Sequence, residues 1–161
     1  MRRYSALENI PVYSKILVPV DGSSNSLKGL AEALELARAL KARIKLLHVV
    51  NELILDPAFT PSLYYERLIE GMRESGNAIL ANARTIANQR GRDVEVELVE
   101  SIGGRASDYI VAAAQQWHAD LIVMGTHGRR GVSRLTMGSD AELVVRSAPV
   151  PVLLVRERPD I

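Results

Sequence analysis

Three glycines in the last third of the chain have a spacing that could bind a phosphate. Gly125 and Gly128 are separated by two residues, Gly128 and Gly138 by nine, and Ser139 follows at once. Glycines let a backbone approach a ligand closely, and a helix start offers unpaired N–H groups to an anion. The spacing is not that of the dinucleotide fingerprint G-x-G-x-x-G, nor that of a P-loop with its Gly-Lys-Ser/Thr.

The segments on either side of these glycines must place them at the edge of a sheet. Residues 121–124 are apolar and rich in β-branched side chains, which predicts a buried strand. Residues 140–147 have helical spacing. A loop between such a strand and such a helix lies at the carboxyl end of the strand, where ligands of open α/β sheets bind.

The same alternation of strand and helix extends along the whole chain. Apolar runs predict strands, and recurrence every three or four residues predicts helices. The predicted strands are 15–20, 44–50, 94–99, 121–124 and 150–155, and the predicted helices are 27–40, 62–90, 106–118 and 140–147. Such alternation predicts a parallel sheet with helices on both faces. We expect Pro19 to end its strand and 94–99 to be an edge. The connection 51–61 is unusually long for this architecture, and long connections of this kind often form lids.

Composition excludes several classes of function. The 161 residues are 47% hydrophobic and 24% charged with a formal net charge of +1, which predicts one globular domain and no nucleic-acid partner. There is no cysteine, so neither disulfides nor thiolate metal sites are expected. No run is long and apolar enough for a membrane span, and no apolar signal core follows Arg2 and Arg3. We expect a cytoplasmic protein without a membrane partner.

The glycine segment and three others together resemble the universal stress protein family, on its ATP-binding branch. The other segments are Val18-Pro19-Val20-Asp21, His48-Val49 and Pro151-Val152-Leu153-Leu154-Val155. The resemblance covers roughly residues 14–156. It implies a single open five-stranded parallel sheet in the order 3-2-1-4-5, Rossmann-like and adenine nucleotide alpha hydrolase-like. We therefore divide the chain into an N-terminal arm, 1–14, a nucleotide-binding domain, 15–156, and a C-terminal tail, 157–161.

The resemblance also implies nucleotide-binding positions and ligands. The glycines and Ser139 match positions that hold phosphates, Asp21 matches a residue at the ribose and metal-phosphate end, and Val49 and Met124 match strand ends that face adenine. The full candidate set is Pro19, Asp21, Val49, Met124, Gly125, His127, Gly128, Arg129, Gly138, Ser139 and Asp140. The implied ligands are ATP and Mg2+, and a carboxylate at Asp21 suits both ribose hydroxyls and the metal ion.

Each candidate also has a structural interpretation. Glycines serve tight turns and close helix packing, Asp21 could be a turn or cap residue, and Ser139 could cap the last helix. Val49 and Met124 could be core residues. The loop residues His127, Arg129, Arg130 and Arg134 could contact phosphate or remain solvated. We expect Trp117 and His118 to be structural.

Asp140 departs from the family pattern, which usually has a small apolar residue after Gly-Ser. A carboxylate at a helix start stabilises the empty helix by about 0.3 to 1 kcal/mol, but it repels a bound polyphosphate. It could turn outward, help to hold Mg2+ or weaken nucleotide binding.

The function implied is that of a homodimeric, ATP-binding regulatory protein of the stress response. The last strand, Val150 to Val155, is apolar and would pair with a second copy if it lies at an edge. We see no dedicated catalytic constellation. One alternative is a slow ATPase or nucleotidyl-transfer enzyme, with Asp21 orienting water or metal and His127 stabilising charge. Another is a protein-interaction module that binds no nucleotide.

Overall fold

A single sheet of five parallel strands organises the protein. The computed structural model describes residues 13–51, 62–101, 103–126 and 137–156. The strands are β1 (Lys15–Pro19), β2 (Arg43–Asn51), β3 (Glu95–Ser101), β4 (Leu121–Gly125) and β5 (Val152–Val155). Their order is β3-β2-β1-β4-β5, which confirms the order that the resemblance implied.

In the described residues, four helices cover the sheet in two layers, as the alternation predicted. They are α1 (Ser24–Leu40), α2 (Ser62–Gln89), α3 (Ala106–Trp117) and α4 (Ser139–Ser147). Helices α1 and α2 pack on one face of the sheet, whereas α3 and α4 pack on the other. Among the described residues, no helix is both long and apolar enough to cross a lipid bilayer.

The central strand β1 supplies side chains to both layers. Ile16 and Val18 belong to the core beneath α1 and α2, whereas Leu17 belongs to the core beneath α3 and α4. All three side chains are fully buried. A parallel strand buried on both faces has no polar alternation, which explains why the sequence of β1 is a continuous apolar run.

The structure corrects the bounds of several predicted elements. β5 begins at Val152 rather than at residue 150. Its ladder with β4 starts at the carbonyl of Pro151, which accepts from the Ile122 N–H at 3.0 Å, because the proline nitrogen cannot donate. β3 runs from Glu95 to Ser101, two residues beyond the predicted end. Strands β3 and β5 are the two edges of the sheet, as expected.

Trp117 has a structural environment, as predicted. It is the last residue of α3, and its carbonyl accepts a hydrogen bond from Lys15 Nζ at 3.0 Å. The ammonium groups of Lys15 and Lys45 lie 5.5 and 5.3 Å from the centre of its ring. Lys45 also forms an ion pair of 2.9 Å with Glu97, which joins β2 to β3.

Candidate functional site

The chain leaves β1 through a turn that fixes the carboxylate of Asp21. Pro19 ends the strand, as predicted. Asp21 Oδ1 accepts the Ser23 N–H at 2.9 Å, and the Asp21 N–H donates to Ser26 Oγ at 3.3 Å. Ser23 then caps α1, since its side chain accepts from the Ser26 N–H. Asp21 is therefore a turn residue whose own geometry orients its carboxylate.

Gly125, the last residue of β4, lies directly against the first turn of α1. A Cβ added there would lie 2.7 Å from the Asn25 carbonyl oxygen and 3.1 Å from Asn25 Cβ. One turn further along α1, a Cβ added to Gly29 would lie 3.1 Å from the Gly125 nitrogen. Two glycines thus let helix and strand touch through their backbones. The close-packing interpretation of Gly125 is confirmed, and a ligand role at its backbone remains a separate prediction.

Thr126 and Gly138, which flank the glycine loop between β4 and α4, are hydrogen-bonded to each other. Thr126 is buried, and its N–H donates to the Val155 carbonyl at 3.0 Å. Its own carbonyl accepts the Gly138 N–H at 2.8 Å. This bond fixes the start of α4 at the carboxyl end of β4. The candidate residues His127, Gly128 and Arg129 lie outside the described residues, as do Arg130 and Arg134.

Among the described residues, no side chain caps the start of α4. Gly138 is the N-cap, and its carbonyl accepts the Glu142 N–H at 3.0 Å. Ser139 is the first helical residue, so its interpretation as the N-cap is wrong: the extended backbone of Gly138 occupies that position. Within the described part of the chain, no carbonyl accepts the N–H groups of Ser139, Asp140 and Ala141. Asp140 is exposed.

The strand register brings Asp21, Val49 and Met124 to the carboxyl end of the sheet. Leu17 pairs with Ile122, so continuing the register places Asp21 level with Thr126 on one side. Pro19 pairs with Leu47, which places Asp21 level with Val49 on the other. Both Val49 and Met124 pack in the core beneath α3 and α4, in agreement with their structural interpretation. Their backbones lie at strand ends.

The charges near this edge limit the metal chemistry that the site could perform. In the described ranges, no three histidine or acidic side chains cluster in a way that could hold a metal ion by themselves. Asp21 supplies one oriented carboxylate, an oxygen donor of the kind that Mg2+ prefers. A single carboxylate fits an ion that is shared with ligand phosphates rather than a metal site made by protein alone.

Comparison with known proteins decides the family. The model of the universal stress protein family matches residues 13–156. The chain belongs to this family. Universal stress protein MJ0531 of Methanocaldococcus jannaschii is 32% identical over 148 residues, which cover 91% of this chain and 84% of that protein.

Solved structures of the same family have the same fold. Universal stress protein UspA from Lactobacillus plantarum superposes with a TM-score of 0.79 at 26% identity, over 91% of this chain and 99% of that one. The universal stress protein from Archaeoglobus fulgidus, in complex with dAMP, superposes with a TM-score of 0.61 at 27% identity, over 89% and 98% of the two chains.

Two residues at this edge of the universal stress protein fold were missed as candidates from sequence. Asn25 Oδ1 is buried and has no hydrogen-bond partner among the described residues. His48 is buried, and its ring nitrogen Nδ1 lies 2.7 Å from the Val20 carbonyl. His48 carried a signal, since a polar residue in an otherwise apolar strand has to find a partner. Asn25 carried none, because it lies in a segment already rich in serine.

Proposed function

We propose that this universal stress protein binds an adenine nucleotide, ATP with Mg2+, and acts as a regulatory protein rather than as a dedicated enzyme. The observation that carries the proposal is the start of α4. Its first N–H groups lack acceptors among the described residues, and the Gly138–Thr126 hydrogen bond holds them at the carboxyl edge of the sheet. Unpaired N–H groups at a helix start attract phosphate. Gly128, His127 and Arg129 belong to the same proposal on sequence alone.

In this proposal, the base lies at the ends of β2 and β4. Backbone groups at Val49 and Met124 read the adenine edge, while the apolar side chains around them belong to the core beneath α3 and α4. The dAMP complex of the Archaeoglobus fulgidus relative supports an adenine nucleotide as the ligand class. The triphosphate and the metal ion are the finer part of the proposal.

Asp21 holds the metal ion together with the phosphates in this account. Its Oδ1 accepts the Ser23 N–H, so the carboxylate is oriented before a ligand arrives. Bound Mg2+ would neutralise phosphate charge. Asp21→Asn keeps an oxygen that can accept the Ser23 N–H but removes the charge, which makes it a suitable test of the metal role.

The assembly that we propose is a homodimer formed through β5, within the segment from Val150 to Val155. β5 is an edge strand of apolar sequence, and Leu153 is 36% exposed on it. An open apolar edge favours pairing with another strand. Antiparallel pairing with a second copy closes the β5 edge of each copy. We place this dimer in the cytoplasm, where adenine nucleotides are abundant.

The experiment that tests nucleotide binding uses protein purified without added nucleotide. The protein is denatured, and any released nucleotide is identified by mass spectrometry; ATP and AMP are then titrated into the emptied protein with and without Mg2+. We expect ATP binding that Mg2+ strengthens in the wild type and leaves unchanged in Asp21→Asn. Failure of both nucleotides to bind at millimolar concentration would contradict the proposal. ADP release well above background would replace the regulatory role with an ATPase.

A further inference from the structure

The ring of His48 is held by a carbonyl at the end of the neighbouring strand. His48 lies on β2, is 9% exposed, and has its Nδ1 at 2.7 Å from the Val20 oxygen. A carbonyl oxygen only accepts hydrogen bonds, so Nδ1 must be the nitrogen that carries the proton. The geometry thus places a proton on Nδ1.

This contact replaces the next hydrogen bond of the β1–β2 ladder. The Val20 N–H donates to the Leu47 carbonyl at 2.8 Å. In a parallel ladder, the next bond would run from the Val49 N–H to the Val20 carbonyl, because alternate peptide groups face the same neighbour. Across the described ranges, however, no backbone N–H donates to the Val20 oxygen, which accepts from the imidazole instead.

This arrangement affects the N–H and carbonyl groups of Val49. Its N–H and carbonyl face the side of β1, but β1 ends at Pro19 and the Val20 oxygen accepts from the His48 ring rather than from the Val49 N–H. These two groups therefore face the end of β1, next to the Asp21 turn. A donor and an acceptor on one residue match the donor and acceptor pattern on the edge of an adenine ring.

We propose that His48 is a positioning residue, which ends the β1–β2 ladder one bond early and so keeps the Val49 backbone groups available to adenine. The inference rests on the proposed function. The same hydrogen bond also holds the peptide between Val20 and Asp21, whose N–H faces Ser26. One ring thereby fixes both the base-reading position and the turn that carries the carboxylate.

Gly76 of α2 lies against the His48 ring. A Cβ added to Gly76 would lie 2.9 Å from His48 Cδ2 and 2.7 Å from Leu98 Cδ1. The helix therefore passes the imidazole with no side chain between them, and a methyl group there would displace the ring. Gly71, five residues earlier in α2, has open space around an added Cβ and serves as a matched control.

The test compares His48→Leu with His48→Asn. Leucine removes the donor, so the Val20 oxygen can accept the Val49 N–H and the ladder extends by one bond. Asparagine keeps an N–H donor close to the position of Nδ1. We expect His48→Leu to weaken AMP binding about tenfold, as measured by calorimetry, and His48→Asn to restore most of it. Gly76→Ala should also weaken binding, whereas Gly71→Ala should not.

A second readout needs no nucleotide. Hydrogen exchange of the Val49 amide, followed by NMR in the ligand-free protein, should slow in His48→Leu and stay fast in the wild type and in His48→Asn. Long-range proton–nitrogen spectra should show the His48 proton on Nδ1. A ring without a proton on Nδ1, or unchanged Val49 exchange in His48→Leu, would overturn the inference.

The two readouts separate this inference from the proposed function. If the wild type binds AMP and His48→Leu binds it equally well, the positioning role is wrong and the nucleotide site stands. If the wild type binds no nucleotide, the proposed function fails, and the exchange and tautomer measurements still decide what His48 does to the ladder. Should His48→Leu fail to fold, the pair Gly76→Ala and Gly71→Ala decides.

Discussion

The backbone of Gly125 touches the backbone of Asn25: a Cβ added to Gly125 would lie 2.7 Å from the Asn25 oxygen. Real Cβ atoms do not approach an oxygen so closely, so any side chain at position 125 must push α1 away from β4. This contact joins the end of β4 to the start of α1. It therefore connects the Asp21 turn, which precedes α1, with the glycine loop, which follows β4.

Gly125→Ala should therefore destabilise the protein by about 1 to 3 kcal/mol, because the added methyl group overpacks a backbone contact. Gly71→Ala is the control, and it should stabilise by about 0.5 to 1 kcal/mol, since its added methyl group meets nothing within 4 Å and alanine favours a helix. Urea unfolding measures both free energies. Equal stability of Gly125→Ala and the wild type would show that α1 moves aside without cost.

The dimer proposal makes a prediction about the two sheet edges. Leu153→Lys should shift the protein towards a monomer, because antiparallel pairing of β5 brings two like charges close together. Val96→Lys places the same charge on the other edge strand, β3, where Val96 is 41% exposed. It should leave the assembly unchanged. Sedimentation at micromolar concentration compares them, and a wild type that is already a monomer contradicts the dimer.

Asp140 should oppose nucleotide binding, because its exposed carboxylate lies in the first turn of α4. Asp140→Asn should tighten ATP binding about two- to fivefold at low salt, the range that corresponds to one charge at a helix start. Asp93→Asn makes the same charge change just before β3, at the opposite end of the sheet, and should have no effect. Weaker binding of Asp140→Asn in the presence of Mg2+ would mean instead that Asp140 helps to hold the ion.

An ion pair between α2 and β3 should make stability depend on pH. Arg73 Nε lies 2.6 Å from Glu100 Oε1, and the hydrogen bond from Arg73 lowers the pKa of Glu100 below its usual value. A lowered pKa contributes stability above the pKa of the unfolded chain, and this contribution is lost as the pH falls through the folded value.

Glu100→Gln should accordingly be less stable than the wild type at pH 7, and the difference should disappear well below pH 4.5. Glu66→Gln, at an exposed position of α2, is the control and should match the wild type throughout. Urea midpoints measured at both pH values test this. If Glu100→Gln remains less stable than the wild type in acid, packing, and not the charge of Glu100, supplies the stability.

Hydrophobic periodicity placed each strand and helix of the described residues to within a few positions, because apolar runs and helical spacing reflect burial directly. It could not give the order of the strands, which came from the resemblance to a family. It also misplaced the cap of α4: Ser139 has the right chemistry for an N-cap, but the backbone of Gly138 takes that position.

The contacts that shape the site could not be predicted from the sequence, for a physical reason. Asn25 and Gly125 are distant in the chain, and only the strand order brings them together. Glycine at position 76 lowers the helix propensity of α2, yet it leaves room for the His48 ring. A local pattern predicts which face is buried, but not which groups meet there.

The most direct test of the nucleotide site is a titration of the isotope-labelled protein with AMP, followed by amide NMR. Binding at the carboxyl edge of the sheet predicts that the amide signals of Val49, Gly125 and Ser139 shift together with one dissociation constant, while those of Lys41 and Asp93 at the opposite edge stay still. Shifts confined to another surface, or no shifts at millimolar AMP, would contradict the account.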